Sequence, residues 1–334
     1  MHRSIDGVLI KGDGIGTELI NATTEILSAL TTVSFNWEEH HAGLEYYEKH
    51  NEIVPEETLR AIKSKGIALK GPFTTYAGKG QRSANWVIRR ELDLYVCMRP
   101  IVSHHREIDI LLIRENTEDL YGAIEWEAGD AAYAVKVATA AGCKRIASYA
   151  FKKAYEKKRN KVTIAHKANN LKKTEGMFLE TAQRIGEQYS LLQTEDQLID
   201  SLTADLVMHP ENYDVILTTN TFGDILSSLG AGLLGSHALV PSASINRDIV
   251  LVEAAHGSAP ELKGKNIANP TGLILASALL LEEIELHEEA KMIRLAIENV
   301  SKKNITTFDS GGQASTMEFA QEIKKEIKEM SLYA

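Results

Sequence analysis

Short apolar runs separated by longer stretches of helical periodicity set the pattern of this chain. Val8-Leu9-Ile10 predicts a strand that ends in Gly12-Asp13-Gly14-Ile15-Gly16. After that turn, Ile15, Leu19, Ile26, Leu27 and Leu30 recur near helical spacing and predict a helix. Further strands are expected at Ile67 to Leu69, Leu94 to Val96, Ile108 to Ile113, Val162 to Ala165, Val215 to Thr218 and Ile249 to Val252. Between them, Glu57 to Ser64, Thr174 to Tyr189 and Gly223 to Leu234 carry helical periodicity. This alternation predicts an α/β architecture with at least part of the sheet parallel. The most apolar stretch, Gly272 to Leu281, is about half the ~20 residues that span a bilayer and runs into Glu282 and Glu283, so it reads as a buried helix rather than a membrane segment.

The glycine turn is not a dinucleotide fingerprint of the Rossmann kind. Its third glycine comes one residue early for G-x-G-x-x-G, and no acidic residue ends a clear second strand about 20 residues on. With 334 residues the chain has length for about two domains. It carries 37 Lys and Arg against 46 Asp and Glu, a net charge of −9, which argues against a nucleic-acid coat or an anionic-membrane binder. The run Lys152 to Lys161 is basic but reads as a solvated helix face. The 2 cysteines, Cys97 and Cys143, provide neither a disulfide framework nor a zinc module, and a reducing compartment follows. The N-terminus has neither the apolar run of a secretory signal nor transit-peptide character, so a cytoplasmic location is expected.

Groups suited to anions concentrate in the first half. Arg89, Arg99 and Arg114 stand at strand or helix ends, and three planar donor forks converging would suit a di- or tricarboxylic acid. The plainer alternative is surface ion pairs with Glu91, Asp93 and Glu115. Later, His166-Lys167-Ala168-Asn169 follows one strand, and Thr219-Asn-Thr-Phe-Gly-Asp224 follows another. Asp224 could cap the helix it opens, and Asp200 could be an ordinary helix-start acid.

Read in order, the segments Gly12-Asp-Gly-Ile-Gly-Thr-Glu18, Lys70-Gly-Pro, Ser83-x-Asn85-x-x-x-Arg89, Glu91-Leu-Asp-Leu-Tyr95, Arg99-Pro, Arg114-Glu-Asn-Thr-Glu-Asp-x-Tyr121, His166-Lys167-Ala-Asn169, Gly223-Asp224-Ile-Leu-Ser and His256-Gly-Ser-Ala-Pro260 form one series. That series closely resembles the β-decarboxylating dehydrogenases, the family of isocitrate, isopropylmalate and homoisocitrate dehydrogenases, from about residue 7 to residue 320. The resemblance implies their two-domain α/β fold, which is not a Rossmann fold. It implies a large, cofactor-binding domain from residues 1–96 plus 241–334 and a small domain from 97–240 for substrate, metal and dimer contacts, with the active site in the cleft between them. It also implies a homodimer or larger assembly in which each site is shared between subunits.

By the same resemblance, Arg89, Arg99 and Arg114 grip the substrate carboxylates, with Thr75, Ser83 and Asn85 beside them. Tyr121, Lys167 and Asp200 are the catalytic groups. Lys167 with Asp200 takes the 2-hydroxyl proton while hydride leaves C2, and Tyr121 protonates the enolate carbon after carbon dioxide departs. Lys167 and Asp200 are expected from the partner subunit. Asp200 and Asp224 hold Mg²⁺ or Mn²⁺, a choice that fits oxygen ligands. Two departures stand out. The family's usual third carboxylate, one helical turn after Asp224, is Ser228 here, and Asp205, about 140° around the helix from Asp200, is no obvious substitute. The stretch 235–246 lacks glycines the family usually keeps, which predicts an altered loop.

Cofactor binding is implied for Ile15, Asn169, His256, Gly257, Glu261, Leu262, Ala268 and Asn269. An acid at Glu261, followed by Leu262, suits the ribose hydroxyls of NAD and repels the extra phosphate of NADP. Lys263 and Lys265 nearby would soften that discrimination. Ser83 and Asn85 favour a third carboxylate over a branched alkyl group, which points to isocitrate, with homoisocitrate or isopropylmalate as alternatives. Ser228 and the 235–246 stretch also admit a catalytically weak regulatory or ligand-binding paralogue.

Overall fold

The computed structural model describes residues 2–78, 80–103 and 106–332. The first stretch builds β1 (Arg3–Ile10), α1 (Gly16–Leu27), β2 (Val33–His40), α2 (Leu44–His50), α3 (Glu56–Lys65), β3 (Ile67–Lys70) and α4 (Ala84–Glu91). The middle builds β4 (Val96–Ser103), β5 (Ile108–Glu115), the hairpin β6 (Glu125–Ala128) and β7 (Ala131–Ala134), then α5 (Ala140–Glu156), β8 (Lys161–His166), α6 (Thr174–Gly186), β9 (Gln193–Leu198), α7 (Ile199–Met208), β10 (Val215–Thr218) and α8 (Asn220–Leu234). The last stretch builds β11 (Pro241–Ile245), β12 (Val250–Ala254), α9 (Thr271–Glu283), α10 (His287–Lys302) and α11 (Thr316–Leu332).

Two compact units result, Met1–Leu92 with Ser236–Ala334, and Asp93–Gly235. In the first, strands run in the order β2-β1-β3-β12-β11, parallel except that β11 and β12 are antiparallel. In the second the order is β4-β5-β10-β8-β9, with β4 antiparallel to β5 and the rest parallel. The expected mixed α/β architecture is therefore present in both. Inner strands are apolar because both faces are covered: β10 is buried at every residue. Helix α9 has no polar face and is buried from Thr271 to Leu281 apart from Leu275, as its sequence predicts. No helix among the described residues is long and apolar enough to cross a membrane.

Several expectations need correction. The strand expected at Leu94 to Val96 starts only at Val96, because Asp93 adopts φ 47° and a turn closes through Tyr95 N–H onto the Asp93 carbonyl at 2.9 Å. The helix expected from Gly223 begins a turn earlier, at Asn220, with Thr219 at its N-cap position. Asp224 therefore does not cap it. The stretch 235–246 is not a loop throughout: after a 3₁₀ turn at His237–Leu239 it forms β11, buried at every residue, where small Ser and Ala side chains fit a strand enclosed on both faces. The basic run 152–161 leaves helix α5 at Glu156, and Arg159 bridges Asp109 at 2.7 Å and Asp214 at 3.0 Å rather than standing free in solvent.

Candidate active site

Within the first unit the sequence motifs converge through backbone contacts that only glycine permits. Gly12 has φ 73°, and a Cβ there would lie 2.3 Å from the Pro72 carbonyl oxygen; at Gly14 it would lie 2.0 Å from that of Ser258. The glycine turn, the Lys70-Gly-Pro turn and the His256-Gly-Ser turn thus pack as one cradle. Asp13, 1% exposed, fastens it by accepting backbone N–H groups from Leu44 at 3.0 Å and from Glu45 and Thr74 at 2.8 Å. Ile15 N–H donates to the Ser258 carbonyl at 2.9 Å. The role of Asp13 has one sequence signal, an acid between two turn glycines.

Behind this cradle lies a buried charge cluster that sequence inspection missed. Lys70 Nζ donates to Glu253, and Arg89 donates to the other oxygen of Glu253 at 3.0 Å. Lys70 is 1% and Glu253 4% exposed. Burial pushes the Lys70 ammonium down, while the Glu253 charge opposes the shift. Arg89 is thus paired, but with Glu253 on β12 and not with Glu91.

Among the described residues of this unit, four side-chain polar atoms are buried without a partner: Glu18 Oε2, Ser244 Oγ and, within the sequence motifs, Asn85 Oδ1 and His256 Nε2. Such atoms cost free energy unless something donates to or accepts from them, so the latter two fit a bound polar ligand. His256 Nδ1 contacts the Gly257 carbonyl at 2.9 Å, and burial lowers the imidazole's affinity for a proton. Glu261 is exposed. Lys263, expected to soften its effect, is instead tied to Glu45 at 2.6 Å. Asn269 is committed to structure: its Oδ1 accepts the Thr271 N–H at 2.9 Å and its Nδ2 donates to Asp309 at 3.0 Å. Ala268 is buried; Thr75 is exposed, and Ser83, at the N-cap position of α4, is half-buried with no capping bond from its side chain.

The second unit gathers the other charged candidates into two sets. Arg114, 1% exposed, lies along β5, where Gly223 leaves room for its stem. It donates to Asp224 Oδ1 at 2.5 Å and to Asn220 Oδ1 from both Nε and Nη2, at 3.1 and 2.6 Å. Arg99 on the neighbouring strand donates to Ser227 and lies 3.9 Å from Asp224. Tyr121 donates its hydroxyl to Asp224 Oδ2 at 2.5 Å under the Arg114 guanidinium, 5.1 Å from the ring centroid. Burial, then the Asp224 carboxylate, raises the Tyr121 phenol above its ordinary value, so it keeps its proton. Glu115 takes backbone N–H groups from Thr117 and Glu118, and Asp93 pairs with Arg145, so neither is the partner of a candidate arginine.

The second set is Lys167 and Asp200, 2.5 Å apart and partly open to solvent. The Lys167 hydrogen bond holds the Asp200 carboxyl below the usual carboxylate range. His166 shapes the turn that carries Lys167: its Nδ1 accepts the Ala168 N–H at 3.0 Å and its Nε2 faces Asp196 at 3.1 Å. Asn169 is exposed next to it. Asp205 accepts from Tyr213 at 2.8 Å, away from Asp200. Asp224 and Ser228 stand one turn apart on α8, Ser228 exposed. Together with Asp200 they are an all-oxygen set of two carboxylates and a hydroxyl, chemistry that fits a hard divalent cation completed by ligand oxygens. Among the described residues no group of three or more His, Cys, Asp or Glu side chains forms a metal centre by itself.

Residues 7–323 match the family described as isocitrate/isopropylmalate dehydrogenase. A 3-isopropylmalate dehydrogenase of Archaeoglobus fulgidus is 40% identical over 95% of this chain and 97% of its own length. The mitochondrial NAD isocitrate dehydrogenase catalytic subunit 5 of Arabidopsis thaliana is 37% identical over 96% of this chain and 87% of its own. Among solved structures, an isocitrate dehydrogenase from Methylococcus capsulatus superposes with a TM-score of 0.93 at 38% identity, covering 98% of this chain and 100% of that one.

Proposed function

Because this chain belongs to the isocitrate/isopropylmalate dehydrogenase family, we propose that it oxidatively decarboxylates isocitrate to 2-oxoglutarate with NAD as hydride acceptor and Mg²⁺ or Mn²⁺. Family relatives of similar identity are named for isocitrate and for isopropylmalate, so the choice rests on the pocket residues. The observation that carries it is the polar lining at Ser83 and Asn85, half-buried at the start of α4, with the Ser83 side chain not used as a helix cap. The Ser83 hydroxyl and the Asn85 amide N–H groups can donate to a substrate carboxylate, and a branched alkyl arm would leave those donors unpaired.

In this reading the first unit serves the cofactor and supplies Ser83, Asn85 and Arg89 to the substrate, and the second serves substrate, metal and subunit contact. Arg89, Arg99 and Arg114 bind carboxylates. Asp224, which now engages Arg114 and Tyr121, occupies the position of an anionic partner to both. Bound nicotinamide supplies the hydride acceptor, with Ile15, Asn169, His256, Gly257, Glu261, Leu262, Ala268 and Asn269 around the dinucleotide. The divalent ion, held by Asp200 and Asp224, supplies polarisation of the substrate's 2-oxygen. Lys167 passes a proton along its hydrogen bond to Asp200 and takes the 2-hydroxyl proton in exchange. Tyr121, kept protonated, delivers a proton to the carbon that loses carbon dioxide.

A second copy of the chain completes the site in this proposal. The β6–β7 hairpin supports it: Trp126 and Tyr133 stack at 5.2 Å, half exposed, on two strands that pair only with each other, and such a ribbon is marginal unless covered. The buried thiols Cys97 and Cys143, neither of them in a disulfide, support a reducing setting such as the proposed cytoplasmic one. The exposed Ser228 hydroxyl in place of a carboxylate favours the second reading, a catalytically weak regulatory subunit. A metal-dependent assay of NAD⁺ and NADP⁺ against isocitrate, homoisocitrate and isopropylmalate tests both. Isocitrate with NAD⁺ should be fastest; faster isopropylmalate turnover overturns the Ser83 and Asn85 assignment, and binding without turnover favours the regulatory reading.

A further inference from the structure

We propose that Lys136 is a positioning residue that registers the Tyr121 loop, the Lys167 turn and the start of α8 against one another through two buried carboxylates. It rests on the roles given above to Tyr121, Lys167 and Asp224. Lys136 follows β7, 15% exposed in its side chain, with Nζ 2.5 Å from Asp119 Oδ1 and 2.9 Å from Glu175 Oε1. Its ammonium also lies 5.2 Å from the Phe222 ring centroid.

Each carboxylate holds a segment that carries one of the residues given a role above. Glu175, 0% exposed, accepts the backbone N–H of Lys167 at 3.1 Å and the hydroxyl of Thr219, the N-cap residue of α8, at 3.2 Å. Asp119, 2% exposed and itself at φ 66°, accepts the N–H of Leu120 at 2.8 Å and that of Thr221 at 2.9 Å. Leu120 precedes Tyr121, and Thr221 lies in the first turn of the helix that carries Asp224. Glu175 and Asp119 therefore meet at α8 from two sides, and each reaches back to a different proton-handling residue.

Two carboxylates buried this deeply need a cation to stay charged in place. Lys136 supplies one charge to both, so the two loops cannot shift independently. Without it the carboxylates repel each other, and the backbone N–H groups of Lys167 and Thr221 lose well-placed acceptors. Catalytic geometry is sensitive to such shifts at the ångström scale.

The test compares Lys136→Met with Lys136→Arg in the full chain. Lys136→Met should lower kcat about 100-fold while substrate affinity by calorimetry moves less than about threefold. Lys136→Arg should recover most of the loss. Hydrogen exchange gives a readout that needs no turnover: in Lys136→Met, peptides containing Lys167 and Thr221 should exchange faster, with those containing Lys70 and Glu253 unchanged. Should Lys136→Met fail to fold, Glu175→Gln takes its place in the same measurements. Unchanged exchange at Lys167 and Thr221, or a kcat loss that only follows the unfolded fraction, overturns the proposal. Failure of the wild-type chain to turn over any tested substrate would instead count against the enzymatic reading, and the exchange result would still decide the role of Lys136.

Discussion

Tyr121 donates its hydroxyl to Asp224, on the same carboxylate that receives the Arg114 guanidinium. One acid thus holds a proton donor and a carboxylate-binding cation side by side. Tyr121→Phe keeps the ring under Arg114 and removes only the hydroxyl with its proton. It should lower kcat about 10²–10⁴-fold, the usual worth of a general acid, with little change in KM. Steady-state kinetics checks this; a normal kcat would remove Tyr121 from the chemistry.

The buried Lys70–Glu253–Arg89 cluster predicts an asymmetry in stability. Glu253→Gln leaves the buried Lys70 and the partly buried Arg89 facing an amide and should cost about 3–5 kcal/mol, whereas Lys70→Met leaves Glu253 still paired with Arg89 and should cost less. The double variant should cost less than the sum, because the groups interact. Urea unfolding of the three variants measures this.

Ser228 stands one turn from Asp224, where a carboxylate would add charge to the oxygen set. Ser228→Asp should tighten Mn²⁺ binding about tenfold, since ligand charge sets affinity at such sites. Calorimetric titration of the metal alone reads the effect. Unchanged affinity would show that α8 does not face the ion at this position.

Cys143 provides the pH prediction. Burial, then the charges of Glu118, Glu115 and Glu175, push its thiol up to about 12. The folded chain therefore holds this proton more tightly than the unfolded chain does. The resulting stabilisation is complete below the ordinary thiol range and is lost as pH rises towards 12. At pH 9 the native protein should leave Cys143 unreacted with a thiol reagent, and urea should expose it.

Much of this was legible in the sequence, for identifiable reasons. Apolar strands buried on both faces, such as β8 and β10, announce themselves, and so do the motif residues whose order marks the family. Edge strands do not: β9 reads Gln-Thr-Glu-Asp-Gln-Leu and β2 ends Trp-Glu-Glu-His, because an edge with one solvated face needs no apolar run. β11 is hidden for the opposite reason, since its enclosed Ser and Ala lack the bulk that marks a strand. The candidate arginines were visible, but their partners were not. Glu253 lies 164 residues from Arg89 and Asp224 lies 110 from Arg114, so only tertiary pairing reveals them. Asp13 and Asp119 likewise act on backbone N–H groups of distant segments, and Glu175 on the distant Thr219 hydroxyl, roles that residue type alone does not encode.

The most direct test is the stoichiometry of the reaction itself. The purified chain, given isocitrate, NAD⁺ and Mn²⁺, should release carbon dioxide and NADH in equal amounts and stop when the metal is chelated. Isocitrate bound without either product, or NADH formed without carbon dioxide, would contradict the account.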